Sequence, residues 1–202
     1  MTLPRLKYLG GDPALDLVNT VDWTAAGLRT GSERLPSYRR FLEWAEGAGV
    51  VSAAAAARLR GLARRRPHGA AAALHTVHDA RAILQRVLGA RAAGRQPAAR
   101  DLALLNVLLA DALGRLQLAS PKGRDPELEW RGLSRELMGP LWPVVWSGAR
   151  LLTSDEADRL RICAGDDCGW MYVDRSRNGL RRWCEMATCG TREKNRRRAN
   201  AS

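Results

Sequence analysis

A chain of 202 residues is long enough for one well-buried core with a small module attached. Its 46% hydrophobic content and seven tryptophans exclude a disordered chain, and no apolar run approaches the roughly 20 residues of a membrane-spanning helix. The formal net charge of +12 suits a polyanionic partner, and half of it sits in residues 159–202, where 11 basic side chains face 5 acidic ones.

The opening "MTLPRLKYLGGDPALDLVNTV" has neither a continuous apolar stretch nor a small-residue cleavage site, so the expected location is the cytoplasm, or the nucleoid if DNA is the partner. Leu6 to Leu9 reads as a short strand, Gly10 to Pro13 as a turn, and Leu15 to Val21 as an extended or helical piece. A helix is expected from Pro36 and Ser37, with Phe41, Leu42 and Ala45 on one face and Gly47 and Gly49 as its stop. Ser52 is placed to cap "AAAAARLRGLARRR", which Pro67 ends. Leu74, Val77, Leu84, Val87 and Leu88 form a longer helical stripe closed by Gly94 and Pro97, and Asp101 to Leu113 supplies another. After Gly114 the period falls to two: "RLQLAS" and "ELEWR" around "PKGRDP" predict a β-hairpin. Leu141 to Leu152 returns to helix, with Pro140 and Pro143 in its first turn. The fold class expected is mainly α with small β elements, that is α+β, in two domains, 1–153 and 154–202. The first carries its own helical stripes and is expected to fold alone.

All four cysteines, Cys163, Cys168, Cys184 and Cys189, lie near the C-terminus in the pattern C-x4-C-x15-C-x4-C. Two chelating pairs separated by such a loop are a zinc signature, because tetrahedral coordination needs two short loops brought together; two disulfides are the alternative. "WMYVD" reads as a strand, "RSRNGL" holds an Asn-Gly turn, and "RRW" reads as the return strand; "EMATCGTREKNRRR" has helix-forming composition. Knuckle, hairpin and helix in that order make a treble-clef-like zinc finger. Four thiolates leave no open coordination position, so the metal's expected role is structural.

"CGWMYVDRSRNGLRRWCEMATCGTREKNRRR" closely resembles the CGNR zinc finger, whose Cys-Gly-Asn-Arg run corresponds to Cys189, Gly190, Thr191 and Arg192 here, with Thr191 in the place of the signature asparagine. "YLGGDPALDLVNTVDW" resembles the opening of the ABATE domain that precedes this finger. The resemblance implies a stress-induced transcriptional regulator with a DNA-binding finger, and the change at Thr191 bears on sequence preference if the asparagine contacts a base.

The stretch from Arg175 to Arg198 holds eight arginines and one lysine against two acids. The candidate nucleic-acid contacts are Arg175, Arg177, Asn178, Arg181, Arg182, Arg192, Lys194, Arg196, Arg197 and Arg198, most of them to phosphates and a minority to bases. The competing reading of Arg181 and Arg182 is that they cover the metal site and neutralise its thiolates, and Trp170 and Trp183 read as a mini-core before they read as a stacking platform. Asp12, Asp16 and Asn19 are candidates for a ligand pocket serving a small-molecule effector, with turn formation and helix capping as the competing explanation. No phosphate-cradling loop, H-E-x-x-H pair or G-x-S-x-G elbow is present, so an enzyme is not expected. RNA or single-stranded nucleic acid is the nearest alternative partner, and a zinc-stabilised protein-interaction module the next.

Overall fold

The computed structural model describes residues 4–24, 27–120, 123 and 125–200. The α+β expectation holds: the described residues are mainly helical, with three two-stranded antiparallel pairs. Residues 6–9 are not a strand. The first helix, α1 (Pro13–Val18), is capped by Asp12, whose carboxylate accepts from Ala14 N at 2.8 Å, with Pro13 in the first turn. Five of its six residues are buried, because it is wedged between two other helices and a strand of the C-terminal segment. A minimal pair, β1 (Trp23–Thr24) and β2 (Gly27–Leu28), follows; nothing in the period of the sequence signals it.

Ser37 caps α2 (Tyr38–Gly47) and Ser52 caps α3 (Ala53–Arg65), each accepting a backbone N–H at 3.2 Å. Pro67 does end α3, and it also opens α4 (Pro67–Ala92), with Arg66 alone as the joint. Proline is tolerated at that first position because its missing N–H would be unpaired anyway. The 26 residues of α4 span about 39 Å at 1.5 Å per residue. This helix is the spine: α1, α2, α3, α5 (Ala99–Leu113), α6 (Leu141–Thr153) and the C-terminal strands all pack on it. At Gly148 of α6 an added Cβ would sit 2.7 Å from Leu84 Cδ2 and 3.1 Å from Ala14 Cβ, so a glycine is what lets α6 approach both α4 and α1. The expected hairpin is β3 (Leu116–Ala119) with β4 (Glu127–Trp130), paired Leu116 to Trp130 through Ala119 to Glu127. Of the turn expected there, Pro121, Lys122 and Arg124 lie outside the described residues.

A 3-10 turn, Asp155–Arg159, leads into β5 (Leu160–Ile162), which pairs with β6 (Met171–Val173). Here the structure departs from the reading of "RRW" as the return strand. One edge of β6 is taken by β5. The other is taken by the N-terminal segment, since Val173 N donates to Gly10 O at 2.9 Å and Met171 N donates to the Asn19 side chain. No edge remains for residues 181–183.

Leu160, Met171 and Val173 are buried within the same apolar cluster as α1, α4 and α6. Cys163, Trp170, Tyr172, Cys184 and Cys189 form a second, smaller cluster. The strand pair of the C-terminal segment is therefore part of the larger core, and the cysteine module is built on its far end.

Candidate metal centre and nucleic-acid interface

Cys163 follows β5 and Cys168 precedes β6, so the first pair closes the end of the β5–β6 ladder; Cys163 N donates to Trp170 O at 2.9 Å, extending it. Between them Asp167 takes a left-handed conformation (φ 56°), which aspartate tolerates better than most residues. Gly165 lies so close to the centre that an added Cβ would be 3.1 Å from Cys189 Cβ and 3.2 Å from Cys189 Sγ. The second pair sits on a loop and a π-type turn, Met186–Gly190, that runs into the last helix, α7 (Thr191–Ala199).

The four sulfurs lie within 4.8 Å of one another. Cys168 to Cys184 is 3.9 Å and Cys184 to Cys189 is 3.7 Å. These separations are too long for disulfides and match the edge of about 3.8 Å that a tetrahedron with 2.3 Å zinc–sulfur bonds requires. Cys163, Cys184 and Cys189 are buried and Cys168 half-buried, so the site is closed. Cys163 Sγ accepts from Gly165 N at 3.4 Å and from Cys184 N at 3.3 Å. Hydrogen bonds from the Cys168 and Cys184 thiols, then from those amides, hold the Cys163 thiol far below the usual thiol range. The Cys163 sulfur in turn pushes Cys168 up to about 12 and Cys184 well above its ordinary value. Four sulfurs this close cannot all ionise without a cation among them, and a divalent metal at their centre supplies it. Among the described residues this is the one cluster of three or more metal-ligating side chains.

The family comparison agrees with this geometry. Residues 11–155 match the ABATE family, described as "Putative stress-induced transcription regulator", and residues 159–200 match the CGNR zinc finger. The chain belongs to the ABATE family. It carries the CGNR finger at its C-terminus, and neither family is one of enzymes. No curated protein matches the chain. No helix among the described residues is long and apolar enough to cross a membrane.

Within the CGNR finger the candidate arginines divide by what already holds them. Arg181 is internal: its guanidinium lies 4.0 Å from the Tyr172 ring centroid and donates to Trp183 O at 3.0 Å and Cys184 O at 2.6 Å. It ties the loop bearing Cys184 to β6. Arg175 makes a two-pronged pair with Glu156 (2.6 and 2.9 Å) and reaches Gly11 O at 2.8 Å, joining the finger to the ABATE domain. Arg196 pairs with Glu193 at 2.8 Å and Asp166 at 2.7 Å, and Arg197 with Glu193 at 2.9 Å; both remain exposed. Arg177, Arg192 and Lys194 are exposed with no hydrogen bond or ion pair among the described residues. Arg182 is exposed and lies over the Trp183 ring, 5.3 Å from its centroid. Arg198 is exposed on the last turn of α7, and exposed Asn178 accepts from Leu180 N in its own turn at 3.3 Å. Thr191 donates to Met186 O at 3.1 Å, a local bond at the helix start.

Asp12, Asp16 and Asn19 come together, but their polar atoms are spent on the fold. Asp12 caps α1 and accepts from Ser147 Oγ at 3.0 Å. Asp16 accepts from Gly10 N at 2.8 Å, and burial pushes its carboxyl up to about 6. Asn19, 1% exposed, donates to Met171 O at 2.8 Å and accepts from Met171 N at 2.9 Å. Sequence reasoning missed the seat this segment makes for the finger. Trp170 Nε1 donates to Val21 O at 3.0 Å and Asp22 Oδ1 at 3.1 Å, Gly169 N donates to Trp23 O at 2.7 Å, and Arg34 covers the Trp170 ring at 5.1 Å. Asp174 was missed too: it is fully buried and accepts from Ser176 N at 2.9 Å and Arg181 N at 3.0 Å, folding the 174–181 loop on itself. Its only signal in the sequence is an Asp two residues before a Ser, the pattern of an Asx-turn.

Proposed function

We propose that this ABATE protein is a zinc-dependent, DNA-binding transcription regulator, with residues 154–202 as the DNA-contacting module and residues 1–153 as the regulatory one. One observation carries the reading: the closed four-thiol site ends at buried Cys189, and α7 starts two residues later with Arg192, Lys194, Arg196, Arg197 and Arg198 on its exposed surface. Zinc at Cys163, Cys168, Cys184 and Cys189 would fix that helix relative to the loop carrying Arg177 and Arg182. The role of the metal is to hold four thiolates together; it leaves no position for a substrate.

Arg177, Arg182, Arg192 and Lys194 are the first contacts in this reading, because they can meet phosphates without breaking an internal ion pair. Arg196 and Arg197 share Glu193, and Arg196 also reaches Asp166, so these two would meet phosphates only by exchanging an internal partner for them. Arg181 and Arg175 act as structural ties. Duplex is favoured over single strands, whose bases need an open aromatic face: Trp170 and Tyr172 are buried, and the finger's remaining aromatic ring, half-buried Trp183, has Arg182 over it at 5.3 Å.

The test is to measure affinity for duplex DNA, single-stranded DNA and structured RNA at equal salt, with zinc-loaded and chelated protein. The proposal expects a preferred duplex for the loaded form only, and a salt slope reduced by about 0.9 for each phosphate contact removed in Arg192→Ala and Lys194→Ala. Equal binding of both forms to every duplex would reduce the finger to a charged tail. Salt-independent absence of binding would leave a protein-interaction module.

A further inference from the structure

The ABATE domain carries an open groove of about 680 Å³ at the corner where α2, α3 and α4 meet, within the range of about 300–1,000 Å³ typical of ligand clefts. Its floor is apolar: Leu42 and Tyr38 from α2, Ala63 from α3, and Pro67, Ala70 and Leu74 from α4. Its mouth is cationic. Arg39, Arg60 and Arg64 stand there with one acid, Glu43. Glu43 is bracketed by Arg39 at 3.2 Å and Arg40 at 2.7 Å, and these arginines hold its carboxyl below the usual range. Arg60 reaches only the more distant Glu46, at 3.5 Å, and exposed Arg64 has no hydrogen bond or ion pair among the described residues. The start of α2 and the start of α4 open on the same mouth, and α4 begins without a side-chain cap, so both add positive potential there.

An apolar floor beneath a mouth that keeps an excess of positive charge, with Arg39 and Arg40 sharing one carboxylate and Arg64 unpaired among the described residues, selects one chemistry, an anionic head on an alkyl tail. We propose that this groove binds an amphipathic monoanion, with the tail laid along Leu42, Ala70 and Leu74 and the head between Arg39, Arg60 and Arg64. A polyanion such as DNA would use the arginines and leave the floor empty. A cationic or neutral amphiphile would use the floor and leave the arginines unanswered. The site is distinct from Asp12, Asp16 and Asn19, and it is remote from the finger. Ala71 at the groove and Gly89, which packs near Met171 Sδ, are 18 residues apart on α4, or roughly 27 Å along the helix. The inference therefore stands or falls independently of what the finger binds.

The test uses full-length, zinc-loaded protein and hexanoate, octanoate and decanoate below their micelle-forming concentrations, with binding followed by calorimetry. The expected result is one saturable site per chain that tightens by up to about fourfold for each methylene added. Arg64→Glu, at an exposed position, should weaken decanoate at least tenfold and leave decanol unchanged. Ala71→Trp, also exposed, should fill the groove and block both. Inorganic phosphate should not compete. No saturable binding of decanoate, decylammonium binding as tightly as decanoate, or decanoate binding that survives Ala71→Trp in a protein with the wild-type circular dichroism spectrum would each overturn the proposal.

Discussion

Asn19 holds the edge of β6 from the ABATE side, and replacing it by alanine tests whether the two parts of the chain form one structural unit. Its amide gives both a donor and an acceptor to the backbone of Met171, a residue only 1% exposed, so Asn19→Ala strands one N–H and one C=O in the core. Leaving a buried polar group unpaired costs about 1–3 kcal/mol, so the pair amounts to about 2–6 kcal/mol. That is a large fraction of the roughly 5–15 kcal/mol that keeps a domain folded. Asn19→Asp should lose at least as much, since it keeps the acceptor and sets a second carboxylate oxygen against Met171 O. Urea unfolding of the zinc-loaded proteins measures the loss. Zinc transfer to a colorimetric chelator measures its consequence, because Met171 is three residues from Cys168. If release proceeds through opening of this joint, a loss of about 2 kcal/mol raises the open population, and with it the transfer rate, roughly 30-fold. Variants that unfold within about 0.5 kcal/mol of wild type and release zinc at the wild-type rate would refute the reasoning.

Purified protein should carry one zinc per chain by elemental analysis, and Cys184→Ser should lose it, because three remaining thiolates leave an open site. Asp16 should give stability a downward slope with pH. Its folded pKa, about 6, lies above the unfolded value, so its favourable contribution is complete below about pH 4 and is lost as pH rises through 6, a change of about 3 kcal/mol that Asp16→Asn should abolish in unfolding measured across that window. A fragment ending at Ser154 should lose cooperative thermal unfolding. It lacks buried Leu160, Met171 and Val173, each worth about 1.5–3 kcal/mol of burial, and a sharp transition at the wild-type temperature would show that the ABATE core closes without them.

Residues whose physics is local are legible in the amino-acid sequence. Ser37 and Ser52 cap the helices that follow them, the stripe from Val77 to Leu88 is the buried face of α4 with Leu74 half-buried at its start, and the period-two runs pair as β3 and β4. The cysteine spacing points to four sulfurs that do converge, because chelation by short loops is itself a local constraint. Strand partnership is not local, and there the reading fails. The chain does reverse before "RRW", but through a Ser176–Gly179 turn centred on Arg177 and Asn178 (Gly179 N to Ser176 O, 3.2 Å), and "RRW" cannot reach β6, whose edges are claimed by β5 and by Asn19, 152 positions earlier than Met171. A polar residue in a glycine-rich turn looks the same in sequence whether it faces a ligand or the backbone of a distant strand, which is why Asn19 reads as a pocket residue and behaves as a joint.

The same joint explains how a short, highly charged finger can hold a defined shape. Residues 159–200 have little apolar material of their own, and the small cluster around the cysteines is completed by Leu9 from the opposite end of the chain. Trp170 is held by Val21 and Asp22, Arg175 by Gly11, Arg181 in part by Leu9 at 3.4 Å, and Glu185 by Lys7. A metal fixes the four sulfurs relative to one another, yet it fixes nothing relative to the rest of the protein. Those five ties do that. The 7–22 segment, which also packs α1 against α4, is thus bonded both to β6 and to the loop that ends at Arg181, whereas none of these bonds is to a cysteine sulfur. These ties are the contacts through which a change in the ABATE core would have to act on the arginines, and such a change need not alter the spacing of the four sulfurs.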